Sequence, residues 1–385
     1  MLVATSVVTD TRVLREASTL AADGHSVHII GKDVPPDFDP PMGITVSSVG
    51  ATSGLRAEGS DSLGSSGSLP VHLRAARWLL LPQHRNKVFE SWAHGAVEQG
   101  RSRGYDVVHA HDFTALAAGA ELAALAGVPY VYDTHELWSG RPREYRPTPY
   151  QDARERRAER ELGAGAATVI TVGQGIADEL RRRFGWHRVR VVRNTFPLAA
   201  GEPKLPNPAA PEGLLYAGRL APYRDLETLG LAAARLLPLR VTAIGPADQA
   251  WLSGAGPGMR AAGVDIREPV SSDEVSGLYR ELGLALVSHS DRWANHRLAM
   301  PNKLFHAVAA GVPVVGTDVP ELRRVITDYG IGTVYTYGDE ASLVAAVREA
   351  LDRYPEFVAA VRAARPALSW EADAVVLREV YAHLT

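Results

Sequence analysis

The sequence predicts an α/β protein of two domains, each a parallel sheet wrapped by helices. Three observations carry that prediction. Short apolar, β-branched runs alternate with helical stretches along nearly the whole chain, the pattern of strand–helix–strand units rather than of hairpins. A length of 385 residues exceeds what one compact core organises. A stretch dense in proline, RNTFPLAAGEPKLPNPAAPEG, interrupts the alternation and reads as an extended linker over residues 196–212. The predicted domains are then residues 1–195 and 213–370, with the C-terminal segment 371–385, helical from about Glu371 to His383, packing back on the first.

Composition narrows the function. A net charge of -3 provides no field that would recruit nucleic acid. The absence of cysteine excludes disulfides, thiolate zinc sites and a cysteine nucleophile. The first residues, LVATSV, already read as a strand rather than a leader, and no apolar run reaches the roughly 18 residues of a spanning helix. A cytoplasmic, soluble protein is expected.

In the first half, strands are predicted at Leu2–Val8, Val27–Ile30, Ile44–Val46, Val107–Ala110, Tyr130–Tyr132, Val169–Val172 and Val189–Val192. Helix Thr11–Ala22, closed by Asp23 and Gly24, joins the first two. The turn ahead of it reads SVVTDTR and lacks the glycines of GxGxxG, without which backbone cannot close on a dinucleotide pyrophosphate, so a NAD-dependent dehydrogenase is disfavoured. Asp37, Phe38 and Asp39 form a DxD bracketed by prolines, read as a solvated turn. Residues 50–69 are rich in Gly and Ser and read as a surface loop, either over an acceptor site or as a tolerated insertion. Two helical stretches over 71–99 carry Arg74, Arg77, Trp78, Leu79, Leu80, Leu81, Arg85 and Lys87; such a face suits an anionic bilayer or, more commonly, solvent over core leucines. His109 and His111 alternate along a strand and so share a face, and with Asp112 the HxHD pattern can ligate a metal. Gln151–Leu162 alternates Arg and Glu, which predicts exposed pairs four residues apart.

The second half gives strands at Leu214–Ala217, Val241–Ile244, Val264–Ile266, Leu284–Ser288, Val312–Val315 and Thr333–Tyr335, with GAGPG at 254–258 read as a flexible loop. Its most informative stretch is Asn295–Asp318, NHRLAMPNKLFHAVAAGVPVVGTD. This reads as a polar loop, a helix opening near Pro301 and stopping at Gly311, and a buried strand. Such a helix turns its free N–H groups toward the crevice beyond the strands, where phosphates bind. Both halves are Rossmann-like.

Taken in order and spacing, several segments resemble the retaining glycosyltransferases of family four. They are DTRVLREASTLAADGHSVHII, DVVHAHD at 106–112, YDTHEL at 132–137, YAGRLAPYRD at 216–225, VSSDEVSGLYR at 270–280, and the PNKLF and AAGVPVV of the stretch above. The likeness covers nearly the whole length. It implies the GT-B architecture, two Rossmann-like domains whose parallel sheets face an interdomain cleft and close about the linker, with a nucleotide diphosphate sugar as donor, no cofactor and no metal. A diphosphate gains negative charge as the glycosidic bond breaks, so cations belong where that charge develops. Arg219 and Arg224 lie on the loop beyond Leu214–Ala217, Arg224 standing where the family usually has Lys; Lys303 is a third candidate. Charge-assisted bonds of roughly 1.5–3 kcal/mol each outweigh a helix dipole's roughly 0.3–1. Gly218, Gly245, Asn295, Leu298, Asn302 and His306 complete the donor side. In the first domain His135 corresponds to a histidine that family members place beside the transferred sugar. Arg12, His111, Asp112 and Glu136 are acceptor-side candidates; Asp133 and Glu136 are the weaker ones of the YDTHEL segment, since either can instead cap the next segment.

One departure stands out. The family carries two glutamates eight positions apart, the second of which holds the donor ribose, and here those positions are Leu298 and His306. Losing a carboxylate-to-hydroxyl pair costs roughly 1.5–3 kcal/mol, about ten- to a hundredfold in affinity. A neutral His306 accepts one hydroxyl bond through a ring nitrogen, and Asn295, His296 and Arg297 are available upstream. The predicted function is sugar transfer, with retention, to a small-molecule or glycan acceptor. Two alternatives stay open: a non-catalytic homologue that binds a nucleotide or a partner protein, and the same fold used for epimerisation or phosphorolysis.

Overall fold

The computed structural model describes residues 1–50, 89–141, 149–198, 201, 203–205 and 207–384. The Gly- and Ser-rich stretch beyond Gly50 and the basic segment Arg74–Lys87 lie outside the described residues. Two compact units form. Met1–Thr171, Leu180–Arg190 and Leu377–Thr385 make the first, and Val172–Glu179 and Val191–Val376 the second.

The first unit is built on seven strands: β1 (Leu2–Val3), β2 (Val27–Lys32), β3 (Ile44–Val49), β4 (Val108–His111), β5 (Tyr130–Thr134), β6 (Thr168–Thr171) and β7 (Val189–Val191). They lie in the order β3-β2-β1-β4-β5-β6-β7, with parallel pairing from β3 through β6. Helices α1 (Thr11–Ala22), α2 (89–101), α3 (Asp112–Ala126), α4 (Pro149–Gly165) and α5 (Gln174–Phe184) connect them. One core gathers Leu2, Ile30, Trp92, Val108 and Leu122, each large side chain contributing roughly 1.5–3 kcal/mol by burial. Gly119 lets α3 lie flat on β4, because a Cβ there would sit 2.7 Å from that of Ala110.

The second unit has six strands: β8 (Gly213–Ala217), β9 (Arg240–Ile244), β10 (Val264–Arg267), β11 (Gly283–Val287), β12 (Val314–Thr317) and β13 (Gly332–Tyr335). All pair in parallel, in the order β10-β9-β8-β11-β12-β13. Helices α6 (Leu226–Ala233), α7 (Gln249–Ala261), α8 (Ser272–Leu282), α9 (Ala294–Leu298), α10 (Asn302–Ala309), α11 (Pro320–Asp328), α12 (Glu340–Asp352) and α13 (Tyr354–Ala364) cover its faces. A capping box of Ser271 and Glu274 starts α8. Leu304, Phe305, Ala307 and Val308 bury one side of α10 against Val312 and Val314. In each sheet the strand order reverses beside its first strand, at β1/β4 and at β8/β11, and such a reversal opens a crevice at the carboxyl ends of the strands.

Several local expectations are corrected. β1 stops at Val3 instead of running to Val8, since the chain turns there and the Asp10 N–H bonds back to the Val7 carbonyl. GAGPG is not a loop but the middle of α7. The Asp248 side chain caps that helix at Trp251, and Met259 buries its far end, which outweighs the glycines and Pro257. Pro301 is the N-cap of α10 rather than its first residue, and the strand after it begins at Val314. On α4, Arg156–Asp152 and Arg157–Glu161 are the expected surface pairs, but Glu159 turns inward to the Tyr132 hydroxyl at 3.2 Å and Glu155 bonds the Trp138 indole at 3.1 Å. Asp37 and Asp39 are exposed on a turn. The last helix, α14 (Trp370–Ala382), brings Tyr381 to within 2.8 Å of His109 Nδ1 and Arg378 to within 2.7 Å of Asp23. Among the described residues no helix is long and apolar enough to cross a membrane.

Candidate functional site

The carboxyl end of the second sheet holds a pocket of about 580 Å³. The β8–α6 loop supplies Gly218, Arg219 and Arg224, the end of β9 supplies Gly245, and the start of α10 supplies Asn302, Lys303 and His306. No Asp or Glu is on its lining, and among the described residues neither arginine has a carboxylate partner. Gly218 N–H donates to the Ile244 carbonyl at 2.9 Å, so this loop rides directly on the end of β9. A Cβ on Gly245 would stand 2.2 Å from the Gly218 oxygen, which makes glycine obligatory at that crossing.

Arg224 is held by its neighbours. Tyr223 and Asp225 on either side have positive φ, 68° and 55°, a conformation that costs roughly 1–2 kcal/mol in a non-glycine residue. The cost is offset by hydrogen bonds. Asp225 accepts from the Thr228 hydroxyl at 2.7 Å, the Tyr335 hydroxyl at 2.9 Å and the Gly338 N–H at 3.2 Å, while the Ser288 hydroxyl donates to the Arg224 carbonyl. Sequence reasoning passed over Asp225. The available signal was an aspartate, tolerated in the left-handed region, directly ahead of a helix.

Lys303 Nζ lies 3.4 Å from the Tyr216 hydroxyl and 4.6 Å from the centre of that ring. Burial and the Arg224 cation push its amine down to about 7. His306 lies 2.7 Å by Nε2 from Ser276 Oγ. The same hydroxyl lies 3.1 Å from the Ser272 carbonyl, which ties the His306 ring to the first turn of α8. Burial pushes His306 down to about 4, which keeps it neutral. Asn295 and Leu298, expected on the donor side, are not on the pocket lining. Asn295 is buried in the short turn of α9, and Leu298 faces Gly175.

The first unit gathers a second set at the ends of β4 and β5. Arg12, buried on α1, donates to both oxygens of Asp133 at 3.0 and 2.9 Å and contacts Glu16 at 3.0 Å. Asp133 Oδ2 also lies 3.3 Å from His111 Nδ1 and 3.2 Å from His135 Nε2. The other ring nitrogen of His135 is 3.4 Å from Asp112, which accepts the His135 backbone N–H at 3.2 Å and has φ of 61°. Burial pulls the His135 imidazole down, but the Asp112 and Asp133 carboxylates outweigh it and lift it to about 9. Burial raises Glu16 to about 8 and holds His111 well below its usual range.

Of the two readings open for Asp133, site residue or cap, the cap is not what forms: Asp133 is buried in β5 at the centre of this network. Glu16 was missed, although it lies one helical turn from Arg12 on α1. Glu136 accepts from Arg141 at 3.3 Å, away from that centre. Glu16, His109, His111 and Asp133 offer ligand atoms within 4.8 Å of one another and so could hold a cation. The Arg12 guanidinium already bonds the two carboxylates of that set, and a dication would meet its charge.

Residues 9–195 match the glycosyl transferase 4-like domain, and residues 211–353 match the glycosyl transferases group 1. The chain is built of these two glycosyltransferase domains. The chain is 28% identical over 269 residues to the D-inositol 3-phosphate glycosyltransferase of Arthrobacter sp. (strain FB24), covering 64% of this chain and 62% of that one. It is 27% identical over 298 residues to the glycogen synthase of Mycobacterium tuberculosis, covering 72% of this chain and 68% of the relative. The chain thus spans a little under two thirds of the length of the first of these relatives. Among solved structures it resembles the sucrose-phosphate synthase (tll1590) of Thermosynechococcus elongatus, with a TM-score of 0.73 at 17% identity over 100% of this chain and 98% of that one. It also resembles Anabaena Alr3699/HepE in complex with UDP-glucose, with a TM-score of 0.67 at 14% identity over 100% and 99%. The fold of this chain is therefore GT-B, two Rossmann-like halves with parallel sheets.

Proposed function

We propose that the chain transfers a sugar from a nucleotide diphosphate sugar to an acceptor held by the first unit, with retention at the anomeric carbon. One observation carries the reading: Arg219, Arg224 and Lys303 meet in a pocket that, among the described residues, no carboxylate lines. Like charges so placed repel, and a polyanion among them turns that repulsion into attraction. An esterified diphosphate carries two negative charges, and the third appears as the anomeric C–O bond breaks. Three cations therefore hold the leaving group more tightly than the substrate, and that difference is what accelerates the step. The HepE structure, solved with UDP-glucose on the same fold, supports a ligand of this kind.

Retention without an enzymic nucleophile requires the acceptor oxygen to attack the face the diphosphate leaves. The bond from C1 to the phosphate oxygen breaks, the bond from C1 to the acceptor forms, and the acceptor's proton passes to the departing phosphate oxygen. In this reading His135 is a fixed cation and not a base, because both ring nitrogens face carboxylates.

Calorimetric titration with UDP, GDP, ADP and dTDP tests the pocket, and NMR of the product's anomeric proton tests the stereochemistry. At least one diphosphate binds, and Arg219→Ala weakens it about ten- to a hundredfold, the worth of one charge-assisted bond, with Tm unmoved. Binding of none of the four defeats the reading. Diphosphate binding without turnover of any sugar ester points instead to the non-catalytic homologue that Leu298 and His306 leave open.

A further inference from the structure

Beyond the three cations, the pocket wall is imidazole. His289, at the end of β11, lines it, and His296 stands against His289 with ring centres 4.3 Å apart. The two are 6% and 8% exposed, and the Nδ1 atom of each has no hydrogen-bond partner among the described residues. Buried nitrogens in that state are rare unless something else completes them. Burial, the two rings' mutual proximity, and the cations Lys303 and Arg224 hold His289 neutral; burial and Arg224 hold His296 at about 4. Trp293 stands edge-on to His296 at 4.9 Å, and Tyr223 edge-on to Trp293 at 4.7 Å, so the histidine pair continues into a run of aromatic rings.

Sugar hydroxyls are ordinarily gripped by carboxylates, which accept their protons. Among the described residues this pocket has none on its lining, while Arg224 and Lys303 offer donors and positive charge and His289, with His296 against it, offers a neutral ring whose Nδ1 is unpartnered. The complementary ligand is richer in acceptors than in hydroxyl protons and carries a negative charge of its own. We propose that the sugar end of this pocket takes a uronic acid, whose carboxylate accepts hydrogen bonds from His289 and His296 and is drawn in by Arg224. The inference rests on the pocket being a nucleotide diphosphate sugar site, and its test separates the two.

UDP, GDP, ADP and dTDP are titrated calorimetrically at pH 7, followed by the glucose and glucuronate esters of the tightest binder. The glucuronate ester binds at least tenfold more tightly than the glucose ester. In His289→Phe and in His296→Phe that ratio falls toward one, with the affinity of the bare diphosphate showing that each variant is folded. Equal or tighter binding of the glucose ester, with the bare diphosphate bound, overturns the inference and leaves the pocket reading standing. A ratio unchanged in both variants removes the imidazoles from the assignment and overturns it as well. If no bare diphosphate binds, the pocket reading falls and the inference with it.

Discussion

Near neutrality the amine of Lys303 is about half protonated, since burial and Arg224 bring it from 10.5 to about 7. A bound diphosphate restores the charge, so binding above pH 7 takes up a proton. Affinity for the diphosphate then falls as pH rises from 7 toward 9, by up to about tenfold per unit, and Lys303→Met flattens that slope. Titration calorimetry in two buffers of different ionisation enthalpy measures the uptake directly. Folding runs the other way at the same residue. The depressed amine is disfavoured as a charged group in the folded state, so its penalty is full below pH 7 and fades as pH climbs toward 10.5. His135 has the opposite sign. Its charged form is favoured by the fold, so what it contributes is complete below pH 6.5 and is lost as pH passes through about 9.

At the scale of elements, the β8–α6 loop is where sequence and site meet. Gly245→Ala drives a methyl into the Gly218 carbonyl, and the loop carrying Arg219 has to move. The expected outcome is a loss in kcat/KM of about a hundredfold, in keeping with a misplacement of about 1 Å, at unchanged secondary structure by circular dichroism. This loop also shows what could be read in advance. Arg219 and Arg224 were legible because charge beyond a strand end has few other uses, and the strands themselves were legible from their apolar runs. Asp225 was not, because its work is done with Tyr335 and Gly338, more than a hundred positions away in the chain. Asp133 stays a weak candidate in sequence for the same reason: its partner Arg12 is 121 positions off, and nothing local to YDTHEL announces the pair. GAGPG failed differently, since turn-forming residues were overruled by a cap and a buried face. Leu298 is placed on the donor side by counting along the chain and Asn295 as a substitute just upstream, and neither is on the pocket lining, since both belong to the short turn of α9.

At the scale of the whole molecule, the first unit contains residues from both ends of the sequence, whereas the second is nearly continuous. Truncation after Val376 removes Leu377, Val380 and Tyr381, all buried, and with them the hydroxyl that meets His109. At roughly 1.5–3 kcal/mol for each side chain, the loss is a large share of what holds a domain folded. Calorimetry of the truncated chain should show the first unit melting at least about 10 °C lower or not at all, while diphosphate binding by the second unit survives. A single transition shifted as a whole would mean that the two units do not unfold independently.

The bond between His109 and Tyr381 also has a meaning in time. It joins residues 272 positions apart. A ribosome adding roughly 5–20 residues per second needs about 15–55 s to cover that distance. Throughout that interval His109, whose ring stacks on that of His111 with centres 4.3 Å apart, is without its Tyr381 partner, while the entire second unit is made. The earliest strands of this chain are therefore among the last parts of it to be finished.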